Sequence, residues 1–440
     1  MCWMSFITLR HKKVYIVNIK NCYANGTYAQ YAKFVIREDY MAKKNNDFFI
    51  EKKVWSVVKD ELLGCYFMPY VSKILHTYRP LIYIDCFAGK GKFDDGNPGS
   101  PLIALDVIDK CQKSTNMEST QIEAIFIDLN YADDLQKNLP KYPWINIISG
   151  KYEDNIINIL QGKEHYNVFL YIDPYGIKAL KCSIFDKLST EKFNSIELLI
   201  NMNSFGFIRE ACHALGTSFN DNTIFDDLVE YDSSKMDNSS KSIDELNNIA
   251  GGDYWQEIIN LYKAGIIDGY EAETQFSEQY CQRLRQSYKY VLNMPLRIKK
   301  GQRPKYRLIH ATNHRDGCLL MVDNICNRWE ALQEIQSGGQ LSLFEENYDN
   351  QIVDDTDISN KIFTYFSRYN IDTSLHEALA GFFMEYGPIC STGTVKKNLK
   401  KLENNGQIIV TREPRTTVKG KIATYMSEDK GKKVYVRWPQ

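Results

Sequence analysis

The stretch from Leu81 to Leu105 constrains the fold of this chain most. Leu81, Ile82, Tyr83 and Ile84 make a short apolar, β-rich run of the kind that forms a strand buried on both faces. The run ends in Asp85-Cys86-Phe87-Ala88-Gly89-Lys90-Gly91, where two glycines free the backbone and leave no Cβ, so a ligand can lie against the main chain. Ser100 and Pro101 read as an N-cap and first helical residue, opening a helix through Leu102, Ala104, Leu105 and Ile108. Strand, glycine turn and helix in this order predict the first unit of a doubly wound nucleotide-binding sheet. The dinucleotide fingerprint, whose third glycine opens the helix directly, is absent, so NAD is not favoured.

Further strands follow, and two of them deliver acids. Ile122 to Asp128 predicts the second strand, with Asp128 at its end in the position of a ribose partner or of a plain strand-end carboxylate. Ile145 to Ile148 predicts a third strand and Glu153 to Leu160 a helix. Val168 to Ile172 predicts a strand that brings Asp173-Pro174-Tyr175-Gly176 to the same carboxyl edge. A carboxylate there can accept a hydrogen bond from an exocyclic amine, the proline carbonyl can take the other amine proton, and an aromatic ring can stack on a planar base. An ordinary Asp-Pro turn with a packed tyrosine has the same pattern. Ile196 to Met202 predicts a fifth strand, with Asn201 and Asn203 at its end as substrate contacts or turn caps. Upstream, Val54, Val57, Val58, Leu62, Leu63, Tyr66 and Phe67 predict a long helix. On it, Trp55 and Lys59 read as ligand contacts or, the favoured reading, as core packing and a solvated face.

Composition adds boundaries. With 440 residues, 44% of them hydrophobic, the chain can bury a sizeable core in two or three domains. Its 11 cysteines are scattered without CxxC or Cys/His clusters, so neither a disulfide framework nor a metal site is expected. No run approaches a membrane span and no signal peptide is evident, which predicts a cytoplasmic protein. Residues 1–45 read as an N-terminal extension, either outside the native protein or disordered. Residues 46–335 read as a Rossmann-like domain with a helical insertion at about 205–286. An antiparallel hairpin, Tyr288 to Ile298 and Tyr306 to Thr312, closes its sheet, and the hairpin tip is basic at Lys299, Lys300, Arg303 and Lys305.

Residues 336–357 have the composition of an acidic linker. Residues 358–440 have the order of a winged helix-turn-helix domain and hold 14 Lys/Arg against 7 Asp/Glu, the balance of a polyanion-binding segment. One helix there, marked by Val395, Leu399 and Leu402, carries Lys396, Lys397, Lys400 and Lys401 away from its leucines, as a recognition helix does. Winged helices that bind proteins share this order.

Several of these stretches resemble known families. Asp85 before Phe87-Ala88-Gly89-Lys90-Gly91 resembles motif I of S-adenosylmethionine-dependent methyltransferases. That likeness implies cofactor contacts at Asp85, Phe87, Ala88, Gly89 and Gly91, with Asp128 on the ribose. Phe48-Phe49, Glu51-Lys52-Lys53, Trp55, Leu62 to Tyr66, Asp85 to Gly91, Gly99 to Leu105, Asp128, Asp173 to Gly176 and Ala311 to His314 together resemble the three-Cys-motif partner (TcmP) family, over roughly residues 47 to 440. Members of that family are bacterial or archaeal and are paired with a separate protein bearing a three-cysteine motif suggestive of radical S-adenosylmethionine chemistry. The motif is not in this chain, so any such chemistry would be the partner's.

Asp85 to Gly89 and Gly99 to Ala104 also resemble a ribosomal RNA adenine-N6 methyltransferase family, which carries Asp-Pro-Pro-Tyr at its catalytic strand end. The Asp173-Pro174-Tyr175-Gly176 found here is closer to the Asp-Pro-Phe-Gly of tRNA guanine-N2 methyltransferases. An amino group of a base is implied, but not which base. Gln340-Leu341-Ser342-Leu343-Phe344 resembles the peptide by which bacterial proteins dock on the DNA polymerase sliding clamp. The expected protein is therefore an α/β, class I methyltransferase-like chain with a C-terminal winged helix. It would use S-adenosylmethionine on an exocyclic amine of DNA or RNA, with Asp173, Pro174 and Tyr175 catalytic. The alternative is a non-catalytic module that recruits nucleic acid or a partner on the same fold.

Overall fold

A computed structural model describes residues 54–115, 121–219, 240–296, 306–337, 355–429 and 431–439, with Phe49, Ile50 and Lys52 and, near the N-terminus, residues 8–9, 12–13, 19–24 and 27–32. The Gln340–Phe344 peptide, most of the acidic linker, the basic hairpin tip at 299–305, and Phe48, Glu51 and Lys53 lie outside the described residues. The chain divides into two units, Met1–Asp47 and Phe48–Gln440. In the first, β1 (Thr8–Leu9) pairs with β2 (Lys12–Lys13), and β3 (Ile19–Ala24) with β4 (Thr27–Ala32), both antiparallel.

The second unit is built on a seven-stranded sheet. After helix α1 (Val54–Leu75) come β5 (Leu81–Asp85), α2 (Ser100–Thr115), β6 (Ile122–Asp128), α3 (Ala132–Asn138), β7 (Ile145–Ser149) and α4 (Tyr152–Leu160). Then follow β8 (Asn167–Ile172), α5 (Cys182–Thr190) and β9 (Ser195–Met202). Helices α6 (Ser204–Ala214), α7 (Ser240–Ala250), α8 (Trp255–Lys263) and α9 (Gly269–Leu284) lead to the hairpin β10 (Tyr290–Leu296) and β11 (Tyr306–Thr312), and α10 (Arg315–Ser337) follows. The strand order is β10-β11-β9-β8-β5-β6-β7. β5 pairs in parallel with both β6 and β8, and β11 alone runs against its neighbours. This is the mostly parallel α/β sheet with an antiparallel hairpin that the sequence predicts.

Alternation along the strands sorts side chains into two layers. Tyr83, Phe169, Tyr171 and Leu199 pack with α1, α2 and α10, whereas Ile82, Ile84, Leu170 and Ile172 pack with α4 to α9. Every residue of β5 and β8 is buried, which explains their uninterrupted apolar runs. α1 continues through Pro69. A proline inside a helix costs about 3 kcal/mol, and complete burial of Tyr66, Phe67 and Val71 around it offsets that. No helix among the described residues is long and apolar enough to cross a membrane.

The C-terminal segment starts earlier than the predicted residue 358. It comprises α11 (Asp355–Phe366), β12 (Thr373–Ser374), α12 (Leu375–Tyr386), α13 (Thr392–Asn404), β13 (Ile409–Glu413) and β14 (Lys433–Arg437), with strand order β12-β14-β13. The α12–α13 turn uses Gly387 at φ +74°, and Ser391 caps α13 by accepting from Thr394 N. α12 packs on α10 and β10: Lys289 Nζ lies 2.6 Å from Glu377, and His376 Nδ1 2.8 Å from Asp316.

Candidate active site

The chain builds β5, β6 and β7 outward in one direction and then returns to place β8 on the other side of β5. The strand order reverses between β5 and β8, so a crevice opens there at their carboxyl ends. Asp85 ends β5 and Asp173 follows β8, one on each side of that crevice. The glycine turn spans it: Cys86 N donates to Tyr171 O on β8 at 2.9 Å, and Ala88 N to Ile127 O on β6 at 3.0 Å.

Gly89 and Gly91 adopt φ +58° and +74°. A Cβ on Gly89 would also press on the Phe49 ring at 3.0 Å, so only glycine suits this position. Phe49 lies over the turn and against Tyr131, ring centroids 4.9 Å apart, with Lys90 Nζ 4.9 Å from its ring. The segment carrying Phe49 is fixed by Asp94 N donating to Phe49 O at 2.8 Å and by Lys52 Nζ donating to Pro98 O at 2.8 Å.

Asp85 is wholly buried. Its carboxylate accepts from Ser100 Oγ at 2.7 Å and Phe87 N at 3.2 Å, and no cation among the described residues pairs with it. Burial pushes its pKa up to about 7 against the pull of those two donors. Ser100, read as a helix cap, thus serves the acid of the preceding strand. Asp128 is engaged more fully: one oxygen accepts from Gly89 N at 2.9 Å, the other from Asn130 N at 2.8 Å and Tyr131 N at 2.9 Å. A carboxylate has about four acceptor positions, so one remains for a ribose hydroxyl unless Gly89 N releases its oxygen.

These residues fit S-adenosylmethionine on two counts. The turn leaves backbone uncovered by any Cβ at Gly89 and Gly91, and Asp85 is a buried acid whose ionised form lacks the cation that the cofactor's amino group would supply. Phe87 is half-buried and packs edge-on against Tyr152 at 5.3 Å, while Ala88 is buried beneath the turn.

On the other side of the crevice, both Asp173 oxygens accept from Lys59 Nζ, at 2.8 and 2.7 Å. Pro174 is half-buried and Tyr175 is 51% exposed, at the surface as a stacking ring needs to be. Next to Lys59 on α1, Asp60 pairs with Lys52 at 2.7 Å, and burial pushes its pKa up to about 6 despite that partner. Asn201 donates to Tyr171 Oη at 2.9 Å and leaves its own oxygen buried without a partner. Asn203 caps α6 by accepting from Gly206 N at 2.9 Å, the turn-cap reading. Among the described residues no three His, Cys, Asp or Glu side chains converge as metal ligands.

Lys59 corrects the favoured sequence reading, a solvated face: its side chain is only 12% exposed. It was detectable: Lys59 and Asp60 precede the fully buried Leu63 and Phe67 by helical spacing, so they occupy the buried face of α1. The lysines of α13 separate. Lys397 and Lys401 are exposed, Lys396 is half-buried, and Lys400 pairs with Glu403 at 2.7 Å, so three of the four pair with no carboxylate among the described residues.

No protein-family model and no curated protein matches the chain. Among solved structures, protein LPL1258 from Legionella pneumophila is similar at 11% identity over 58% of this chain and 84% of that one, with TM-score 0.33. A putative methyltransferase, yhhF, from Escherichia coli is similar at 17% identity over 28% and 60%, with TM-score 0.19. A loganic acid methyltransferase with SAH is similar at 10% identity over 64% and 88%, with TM-score 0.25. At such scores these likenesses carry no argument, and the fold assignment rests on the strand order itself.

Proposed function

We propose that this chain is an S-adenosylmethionine-dependent methyltransferase acting on an exocyclic amino group of a nucleic-acid base. The observation that carries the reading is the placement of Asp85 and Asp173 at the carboxyl ends of the adjacent strands β5 and β8, beside a turn whose glycines have positive φ. The cofactor, when bound, supplies an electrophilic methyl group. Asp85 holds its amino group, the backbone of Gly89 to Gly91 lies along it, and Asp128 takes a ribose hydroxyl. Asp173 accepts a hydrogen bond from the base amine, the Pro174 carbonyl takes the second amine proton, and Tyr175 stacks on the base. The C-terminal segment acts as a winged helix that contacts phosphates through α13. A three-Cys-motif protein is its proposed partner.

One observation favours a second reading, a non-catalytic binding module: Lys59 occupies both oxygens of Asp173, and backbone amides fill most of Asp128. Calorimetry with S-adenosylmethionine and S-adenosylhomocysteine separates the two. Micromolar binding that is lost in Gly89→Arg supports the enzyme, whereas a folded protein that binds neither compound leaves only the module.

A further inference from the structure

Lys59 lies at the centre of the substrate side, and its contacts give it a role that deepens the reading of Asp173 as the amine acceptor, on which the inference rests. Its ammonium is 2.8 and 2.7 Å from the two Asp173 oxygens and 5.5 Å from the ring of Tyr306, at the start of β11. The pair is largely shielded, with 12% of the lysine side chain and 25% of the aspartate side chain exposed. The other ionisable groups near Asp173 are the carboxylates of Asp60 on α1 and Asp85 on β5 and the hydroxyl of Tyr171 on its own strand. Lys52, the remaining cation, is spent on Asp60 and the Pro98 carbonyl. Lys59 is therefore the one cation in direct contact with Asp173 among the described residues, beside the carboxylates of Asp60 and Asp85.

The contact does not block the carboxylate. Of about four acceptor positions on a carboxylate, a lysine bridging both oxygens uses two, and each oxygen keeps one. We propose that Lys59 is a positioning residue for methyl transfer, holding the Asp173 carboxylate in one orientation while an exocyclic amine takes its remaining acceptor positions. The amine nitrogen forms its bond to the methyl carbon as the carbon–sulfur bond breaks and leaves its electron pair on sulfur. The proton that the nitrogen then sheds passes to Asp173 and on to solvent.

The test uses the full chain, tritiated S-adenosylmethionine, and homopolymeric A, C and G oligonucleotides of RNA and DNA. Initial rates are followed from about pH 5.5 to 9, and S-adenosylhomocysteine binding is measured by calorimetry in parallel. Lys59→Met is expected to lower kcat at least about tenfold across this pH range, because the Asp173 carboxylate loses the contact that orients it. KM for the oligonucleotide and the affinity for S-adenosylhomocysteine stay within about threefold, because Lys59 touches neither in this scheme. Lys59→Arg, which keeps the cation on Asp173, restores most of kcat.

A folded Lys59→Met protein with the parent's kcat overturns the proposal and leaves the enzyme reading intact. Loss of S-adenosylhomocysteine binding in that variant, or an equal loss of kcat in Lys59→Arg, also overturns it. If Lys59→Met does not fold, Lys59→Gln, which keeps a donor but not the charge, is held to the same criteria. Wild-type protein that binds S-adenosylhomocysteine but methylates none of the oligonucleotides overturns the base-amine reading and this proposal with it.

Discussion

Asp323 of α10 accepts hydrogen bonds from both the amide and the hydroxyl of Thr392, the first residue of α13, each at 2.8 Å. A side chain from one helix thereby caps another, and the turn leading into α13 is held further by Cys326 Sγ, 3.7 Å from Pro388 O. The C-terminal segment is thus docked on α10. A long acidic linker by itself suggests a freely tethered domain instead.

Asp323→Ala strips a 95% buried threonine of both partners. Leaving such groups unsatisfied costs about 1–3 kcal/mol, so urea unfolding should show a loss in that range. Proteolysis in the turn at 387–391 should accelerate. A variant within about 0.5 kcal/mol of the parent would mean that Asp323 does not hold the segment.

A second prediction follows from the two raised carboxyls, Asp85 at about 7 and Asp60 at about 6. Each is harder to ionise in the folded protein than in the unfolded chain. Their contribution is fully present below about pH 4 and is lost as pH rises through 6 and 7. Between pH 5 and 8 the apoprotein should lose stability, and Asp85→Asn should flatten that decline. An identical pH slope in the variant excludes Asp85 as its source. Binding of S-adenosylmethionine should run the opposite way, tightening with pH as Asp85 ionises to meet the cofactor's amino group, and the same variant should remove that dependence.

The third prediction isolates chemistry from binding. Asp173→Ala should abolish methyl transfer while leaving S-adenosylhomocysteine affinity nearly unchanged, because the proposed scheme assigns the cofactor to Asp85 and Asp128, whereas Asp173 touches Lys59. Wild-type turnover in Asp173→Ala would remove Asp173 from the mechanism.

What the sequence disclosed depended on whether the determining contact was local. The apolar runs before Asp85, Asp128 and Asp173 are strands because both faces are buried, and that burial is written into consecutive residues. Gly89 and Gly91 were readable because their backbone requirement is intrinsic. The partner of Lys59 was not, since Asp173 is 114 positions away and helical periodicity says which face is buried but not what lies opposite. Asp323 and Thr392, 69 positions apart, escaped for the same reason. Helix α11 was missed because its apolar residues, Ile358, Ile362, Tyr365 and Phe366, follow an acidic polar run that reads as linker to its end.

The last prediction concerns α13. Val395 and Leu399 are fully buried, while Lys397 and Lys401 project from the opposite side and Lys400 is pinned to Glu403. Replacing Lys396, Lys397, Lys400 and Lys401 together by glutamine should weaken binding to nucleic acid of any sequence and flatten its salt dependence. For each phosphate that a lysine no longer neutralises, roughly one fewer counterion is released on binding. The slope of log K against log salt should therefore fall by about three when Lys400 stays with Glu403, and by nearly four when it also reaches a phosphate. The fold should survive, because exposed charges contribute on the order of tenths of a kcal/mol each. An unchanged salt slope in the quadruple variant would remove α13 from the nucleic-acid interface, and the docked C-terminal segment would then be a surface for the partner protein.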